Sequence, residues 1–124
     1  MAVLTLDQIS VSYRSHGGIV QAVDRLDLQL EAGRTLGLVG ESGCGKSSLA
    51  RALTGLSPIS HGKITFAGET APPKTRAARL ARARRMQMVF QDPLGSLNPR
   101  MTIRELVEEP LHVHRLGVDR KSVV

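Results

Sequence analysis

A chain of 124 residues with 41% apolar and 23% charged content has room for one small domain of ordinary soluble composition. It contains no run near the roughly 18 apolar residues that a membrane-spanning helix needs, its N-terminus "MAVLTLDQISVSY" lacks the basic and uninterrupted apolar regions of a secretory signal, and a single cysteine, Cys44, makes neither an internal disulfide nor a thiolate metal site on its own. A soluble protein of a reducing cytoplasm is the expectation, with any membrane contact made through a partner.

In chain order, "LTLDQISVSY" and "RLDLQLEAG" read as two strands, the second with Leu26, Leu28 and Leu30 on one face. They form a hairpin-type pair joined through "RSHGGIVQAV". The nearly all-apolar "TLGLVG" has the pattern of a strand buried on both faces of a parallel sheet. A glycine-rich loop follows, then "KSSLARALTGL" with Leu49, Ala50 and Leu53 at helical spacing and Gly55 as its stop. "GKITF" and "MQMVF" are further strands. Between them "KTRAARLARARR" has the composition of a helix and carries six basic residues without an acid.

That segment accounts for the formal charge of +6, because the remaining 11 basic residues balance the 11 acidic ones. A solvated helix is the simplest reading, a dock for an acidic partner the next. Two phenylalanines, one tyrosine and no tryptophan offer little for base stacking, so no nucleic-acid partner is expected. In "MTIRELVEEPLHVH", Thr102 stands three residues before Glu105, a capping box opening a helix that Pro110 should kink or end. His61, His112 and His114 form no ligand-like constellation.

The stretch Gly40 to Ser48, "GESGCGKSS", fits G-x-x-x-x-G-K-[ST] between an expected buried strand and an expected helix. Glycines let the backbone approach a ligand with no β-carbon in the way. The amides of Ser42, Gly43, Cys44, Gly45, Lys46, Ser47 and Ser48 can then converge on a polyphosphate at the positive end of the helix dipole. In that frame Lys46 reaches the β- and γ-phosphates and the Ser47 hydroxyl ligates Mg²⁺. Glu41 and Cys44 are loop residues, and Cys44 is expected to have no chemical role.

GTPases, kinases and transport ATPases share such a loop, so flanking sequence must choose among them. Residues 1–39, with two strands, precede the loop, unlike many nucleoside monophosphate kinases, and no N-K-x-D follows it, which argues against a GTPase. Together with "GESGCGKSS" and "VSY", the text "MQMVFQDPLGSLNPRMT" closely resembles the ATP-binding subunits of ABC transporters, within them the oligopeptide, dipeptide and nickel importer branch. The likeness runs from Leu4 to about Leu116. A different P-loop phosphotransferase such as a small kinase, and a non-hydrolysing binding or regulatory fragment, stay open as alternatives.

The resemblance implies an α/β fold: a P-loop NTPase core of the ABC ATPase type with an N-terminal antiparallel β-subdomain, incomplete at the C-terminus. Residues 1–34 would supply strands of the β-subdomain, 35–91 the P-loop core with an inserted strand and the basic helix, and 92–124 the Q-loop and the start of the helical subdomain. It assigns Tyr13 to the aromatic that stacks on adenine and Gln91 to the Q-loop glutamine, which reaches the Mg²⁺ and the attacking water. It places Asp92 to Met101 at the start of the segment that meets the transmembrane permease subunits.

ATP and Mg²⁺ are the implied cofactors. A second ATP-binding subunit and, indirectly, a solute-binding protein are the further implied partners, at the cytoplasmic face of the inner membrane. The family's signature motif, Walker B acids with the catalytic glutamate and switch histidine do not occur in these residues. The expectation is therefore the N-terminal part of a longer ATPase, inactive alone, with an unpaired sheet edge and exposed apolar surface.

Overall fold

The computed structural model describes residues 1–41, 43, 45–70 and 73–116. The chain divides into two units, Met1–Gln87 and Met88–Val124. In the first, β1 (Ala2–Ser15) pairs antiparallel with β2 (Gly18–Glu31) and, on its other edge, with β3 (His61–Phe66), giving the order β2-β1-β3. Between β2 and β3 lies α1 (Lys46–Leu53), and after β3 comes α2 (Arg76–Arg85).

The hairpin is longer than the sequence suggested. The stretch expected to be a connection is strand on both sides, leaving only His16 and Gly17 as the turn, because Ile19, Val20 and Val23 carry the β-branched side chains that favour a pleated surface. β3, expected inside the P-loop core, is instead the third strand of this N-terminal sheet.

Both strands carry extra residues. The register steps from Ala2↔Glu31 to Leu4↔Leu30 and from Leu6↔Leu28 to Ile9↔Leu26, each adding one residue to β1. The steps from Ile9↔Leu26 to Val11↔Val23 and from Val11↔Val23 to Ser12↔Gln21 each add one to β2. The four bulges compensate, so strands of equal length close on a short turn, while each bulge adds local bend and twist. Two have left-handed backbone, at Gln8 (φ 50°) and Arg25 (φ 45°). Their amides, displaced from the ladder, find side-chain acceptors: Gln8 N–H donates to Asp27 Oδ1 at 2.7 Å and Arg25 N–H to the buried Ser10 Oγ at 2.9 Å. That follows from the cost of leaving a backbone donor unmade.

The core is the face this sheet turns to α1. Leu4, Leu6, Ile9 and Val11 of β1 and Ile64 and Phe66 of β3 are buried with Leu49 and Ala52 of α1, and Leu26, Leu28 and Leu30 pack around them. Ile9 is fully buried. Replacing it with alanine is expected to cost about 2 to 5 kcal/mol, the range for removing large aliphatic side chains from cores, and a urea titration followed by circular dichroism measures it. α1 ends at Leu53, with Thr54 as its C-cap and Gly55 following. α2 is capped by Thr75, whose hydroxyl accepts from Ala78 N–H at 3.1 Å. It is not wholly solvated: the Arg82 and Arg85 guanidinium groups sit 5.8 and 5.3 Å from the Phe66 ring centroid, within cation–π reach.

Two expected strands do not form. Residues 35–40 and 87–90 are irregular and in no sheet among the described residues, with Val39 96% and Val89 95% exposed. An apolar run states what a strand would bury. The strand itself exists only through hydrogen bonds to neighbours on its edges, and no described strand supplies them.

The second unit is built around α3 (Ile103–Val113). Its capping box is complete, with Thr102 Oγ1 accepting from Glu105 N–H at 3.3 Å and Glu105 Oε2 accepting from Thr102 N–H at 2.7 Å. Pro110 neither ends the helix nor stands at its end, since α3 continues to Val113. Only the last turn lies beyond the proline, so a single intrahelical bond is given up. The backbone N–H of Thr102, then its hydroxyl, hold the Glu105 carboxyl below its ordinary range. A depressed carboxyl stabilises above its unfolded pKa and releases that stability as pH falls through its folded pKa. Helical Cα shifts of residues 103–106 are therefore expected to weaken on acidification below the ordinary carboxylate range, and Glu105→Gln to flatten that dependence, as read by NMR.

Candidate functional site

α1 opens directly out of the glycine-rich loop. Its N-cap is Gly45, in left-handed conformation at φ 95°, ψ 3°, with no side-chain cap. The first intrahelical bond runs from Leu49 N–H to Gly45 O at 2.9 Å. The amides of Lys46, Ser47 and Ser48 consequently have no backbone acceptor among the described residues. Helices usually satisfy these donors with a serine, threonine or aspartate cap. Here a glycine leaves them pointing out of the helix end, where the dipole favours an anion.

Gly45 has a second reason to be glycine. A β-carbon there would fall on the Ala22 carbonyl oxygen and stand 3.1 Å from the Ala22 carbonyl carbon and 3.4 Å from Val23 Cγ2. The loop is thus seated against β2 at the residue by which β2 exceeds β1 between the Val11↔Val23 and Ser12↔Gln21 pairs. The sequence motif gave no sign of this contact, because it joins segments 23 residues apart.

Lys46 folds back over the loop. Its Nζ donates to the carbonyls of Gly40 and, at 3.1 Å, Glu41. The ammonium therefore spans the loop, held by two neutral acceptors that phosphate oxygens outcompete on charge. The Ser47 hydroxyl is exposed beside it and Ser48 is half-buried. Gly43 has the positive φ, 82°, expected of a loop glycine. Ser42 and Cys44 lie outside the described residues. The donor set fits a polyphosphate: among the described residues, three amides without a backbone acceptor, one ammonium and one hydroxyl, beside Glu41, which meets Lys46 through its carbonyl.

Tyr13 is on β1, opposite Val20 and 52% exposed. Strand alternation puts it on the same face as Val11, which belongs to the core with Leu49 of α1. The described structure therefore brings Tyr13 and the loop to one end and one face of the hairpin, Tyr13 two residues beyond the Val11↔Val23 pair, a step of about 7 Å along the strand. Gln91 belongs to the second unit, exposed at a bend. After it, Asp92 Oδ1 accepts from the amides of Leu94 and Gly95 at 3.1 and 3.0 Å, and Asn98 Oδ1 from Arg100 N–H at 3.0 Å. These side-chain turns satisfy the loop from within, leaving Leu94 85% exposed and Leu97 half-exposed.

Comparison with known proteins agrees with this geometry. A family model described as "ABC transporter" matches residues 23–122. The oligopeptide transport ATP-binding protein OppF of Bacillus subtilis is 46% identical over 106 residues, 85% of this chain and 35% of its own length. The nickel import ATP-binding protein NikE of Escherichia coli (strain UTI89) is 44% identical over 126 residues, 97% of this chain and 46% of its own. The chain thus spans less than half the length of these curated relatives. Among solved structures, a dimeric bacterial ABC transporter cassette superposes with a TM-score of 0.75 at 22% identity, over 94% of this chain and 50% of that one, a likeness of fold. A glycine-rich loop opening α1, an antiparallel sheet folded over that helix, and a family match across most of the sequence converge on one assignment: the chain belongs to the ABC transporter family.

Proposed function

We propose that this chain supplies the phosphate- and base-binding part of an ATPase that powers import of peptides, or of a related small solute, through an ABC transporter. The observation that carries the reading is the helix start at Gly45, uncapped, left-handed and seated against β2, with Lys46 already folded across the loop. Gly40 to Ser48 hold the phosphates of ATP through backbone amides and Lys46, and Tyr13 stacks on the base. Ser47 would hold Mg²⁺, which would neutralise charge on the phosphate oxygens, and the metal role that the resemblance gives Gln91 is a separate proposal.

The peptide branch rests on the names of the relatives and on the "VFQDPLGSLNP" text. Transmembrane permease subunits meet the loop after Gln91, where exposed Leu94 and Leu97 stand on a self-bonded turn. A second ATP-binding subunit completes the site, and a solute-binding protein delivers cargo from the far side. The place proposed for the chain is peripheral, at the cytoplasmic face of the membrane; among the described residues no helix is long and apolar enough to cross one.

Base stacking separates this reading from simple phosphate capture. Tyr13→Ala is expected to weaken Mg-ATP by about 1 to 3 kcal/mol, the size of a base–aromatic stack, and to leave inorganic tripolyphosphate almost unchanged in calorimetry. Equal losses for both ligands would assign Tyr13 to packing and remove the base from the site.

A further inference from the structure

The Ala22 bulge lies where three features meet. It is the extra residue of β2 between the Val11↔Val23 and Ser12↔Gln21 pairs, its carbonyl abuts Gly45 at the start of α1, and the strand segment beyond it carries the Tyr13↔Val20 pair. A bulge re-aims the local backbone and increases strand twist. Here the re-aimed carbonyl occupies the space that a side chain on Gly45 would take. The same extra residue sets the register in which the end of β2 pairs with β1, and so how far along the hairpin the Tyr13↔Val20 pair stands from the seat of the loop.

We propose that the Ala22 bulge is a positioning element for nucleotide specificity: it seats the phosphate loop against β2 and so sets the span between that loop and Tyr13, so that base and phosphates are engaged together. The proposal rests on the reading of Tyr13 as the base-stacking residue. Ala22 acts through its backbone and touches no ligand. Its signature is consequently a change in the preference for ATP over tripolyphosphate, whereas a merely structural residue weakens both alike.

The test measures Mg-ATP and Mg-tripolyphosphate affinity by calorimetry for the full chain and four variants. Deleting Ala22 removes the bulge. A second variant keeps the bulge but lengthens the hairpin by two residue pairs, inserted after Ser12 and before Gln21, which preserves pairing and facing while moving Tyr13 outward by about 7 Å. The third is Tyr13→Ala and the fourth combines it with the deletion.

Tyr13→Ala alone is expected to lower ATP affinity by about 5- to 150-fold. Deletion and extension are expected to do the same, each with tripolyphosphate held within about twofold, and the combined variant to lose no more than either of its parts, the non-additivity of residues acting on one interaction. If the deletion does not fold, the extension carries the test. Tyr13→Ala without effect on ATP overturns the stacking reading and the proposal with it. An effective Tyr13→Ala beside an unchanged ATP to tripolyphosphate ratio in both backbone variants overturns the positioning role alone.

Discussion

Lys46→Ala is expected to weaken Mg-ATP binding by about 1.5 to 3 kcal/mol, on the order of 10- to 150-fold, the worth of hydrogen bonds to charged groups, with little change in the far-ultraviolet circular dichroism spectrum. The side chain is not part of the buried core. Its recorded bonds are to the Gly40 and Glu41 carbonyls of its own loop. Truncation therefore removes the Lys46 ammonium from the loop and loosens it, while the apolar contacts that hold α1 on the sheet, through Leu49 and Ala52, stay in place. Equal affinity in mutant and parent, titrated in the same buffer, would contradict the placement of phosphate at this loop.

A larger effect on stability is expected at Gly45. At φ 95° an L-residue is strained, by about 1 to 2 kcal/mol, and its β-carbon meets the Ala22 backbone, which cannot rotate aside as a side chain would. Overpacking of this kind costs about 1 to 3 kcal/mol more. Gly45→Ala is thus expected to destabilise the first unit by about 2 to 5 kcal/mol and to lose tripolyphosphate binding, since the amides of Lys46 to Ser48 are displaced with the helix start. Gly33→Ala serves as the control: it too has positive φ, 71°, but nothing within 4 Å of the added carbon. Its cost in a urea melt should be the strain alone, with tripolyphosphate binding kept.

What could be read from sequence followed from how local the signal is. α1 with its Gly55 stop, the Thr102–Glu105 box and the basic helix are each specified by residues within a turn or two of one another, and each is present in the structure. The hairpin pair was legible from alternation, but not its bulges. "LDQIS" and "AVDRL" differ from regular strands only in where the backbone turns left-handed, at Gln8 and Arg25, and in which distant side chain, Asp27 or Ser10, takes up the stray amide.

The contact of Gly45 with Ala22 was not legible, because glycine in a phosphate motif is already explained by the ligand. The strands expected at 35–40 and 87–90 rested on composition alone. Leu36, Leu38, Val39 and Val89 are exposed because strand formation needs an edge to pair with, and no pattern within the segment itself can state whether one is present. Arg82 and Arg85 against Phe66 show the same limit at a helix: the charge run was visible, the aromatic ring that takes two of its members was not.

ATP binding by these 124 residues, with no turnover of their own, is the central proposal. Lys46 and Ser47 are the residues proposed to hold phosphate and metal, while the water-polarising acid and the closing signature motif that the resemblance to ABC ATPases implies do not occur in this sequence. Binding that is equal in ground and transition states does not accelerate chemistry. The direct measurement follows bound nucleotide and released phosphate in one sample of the purified chain, with Lys46→Ala alongside. The expected result is saturable Mg-ATP binding that the mutant loses, with phosphate release at the rate of buffer alone. Phosphate release clearly above buffer that disappears in Lys46→Ala would contradict the account, as would the absence of any saturable binding by a folded chain.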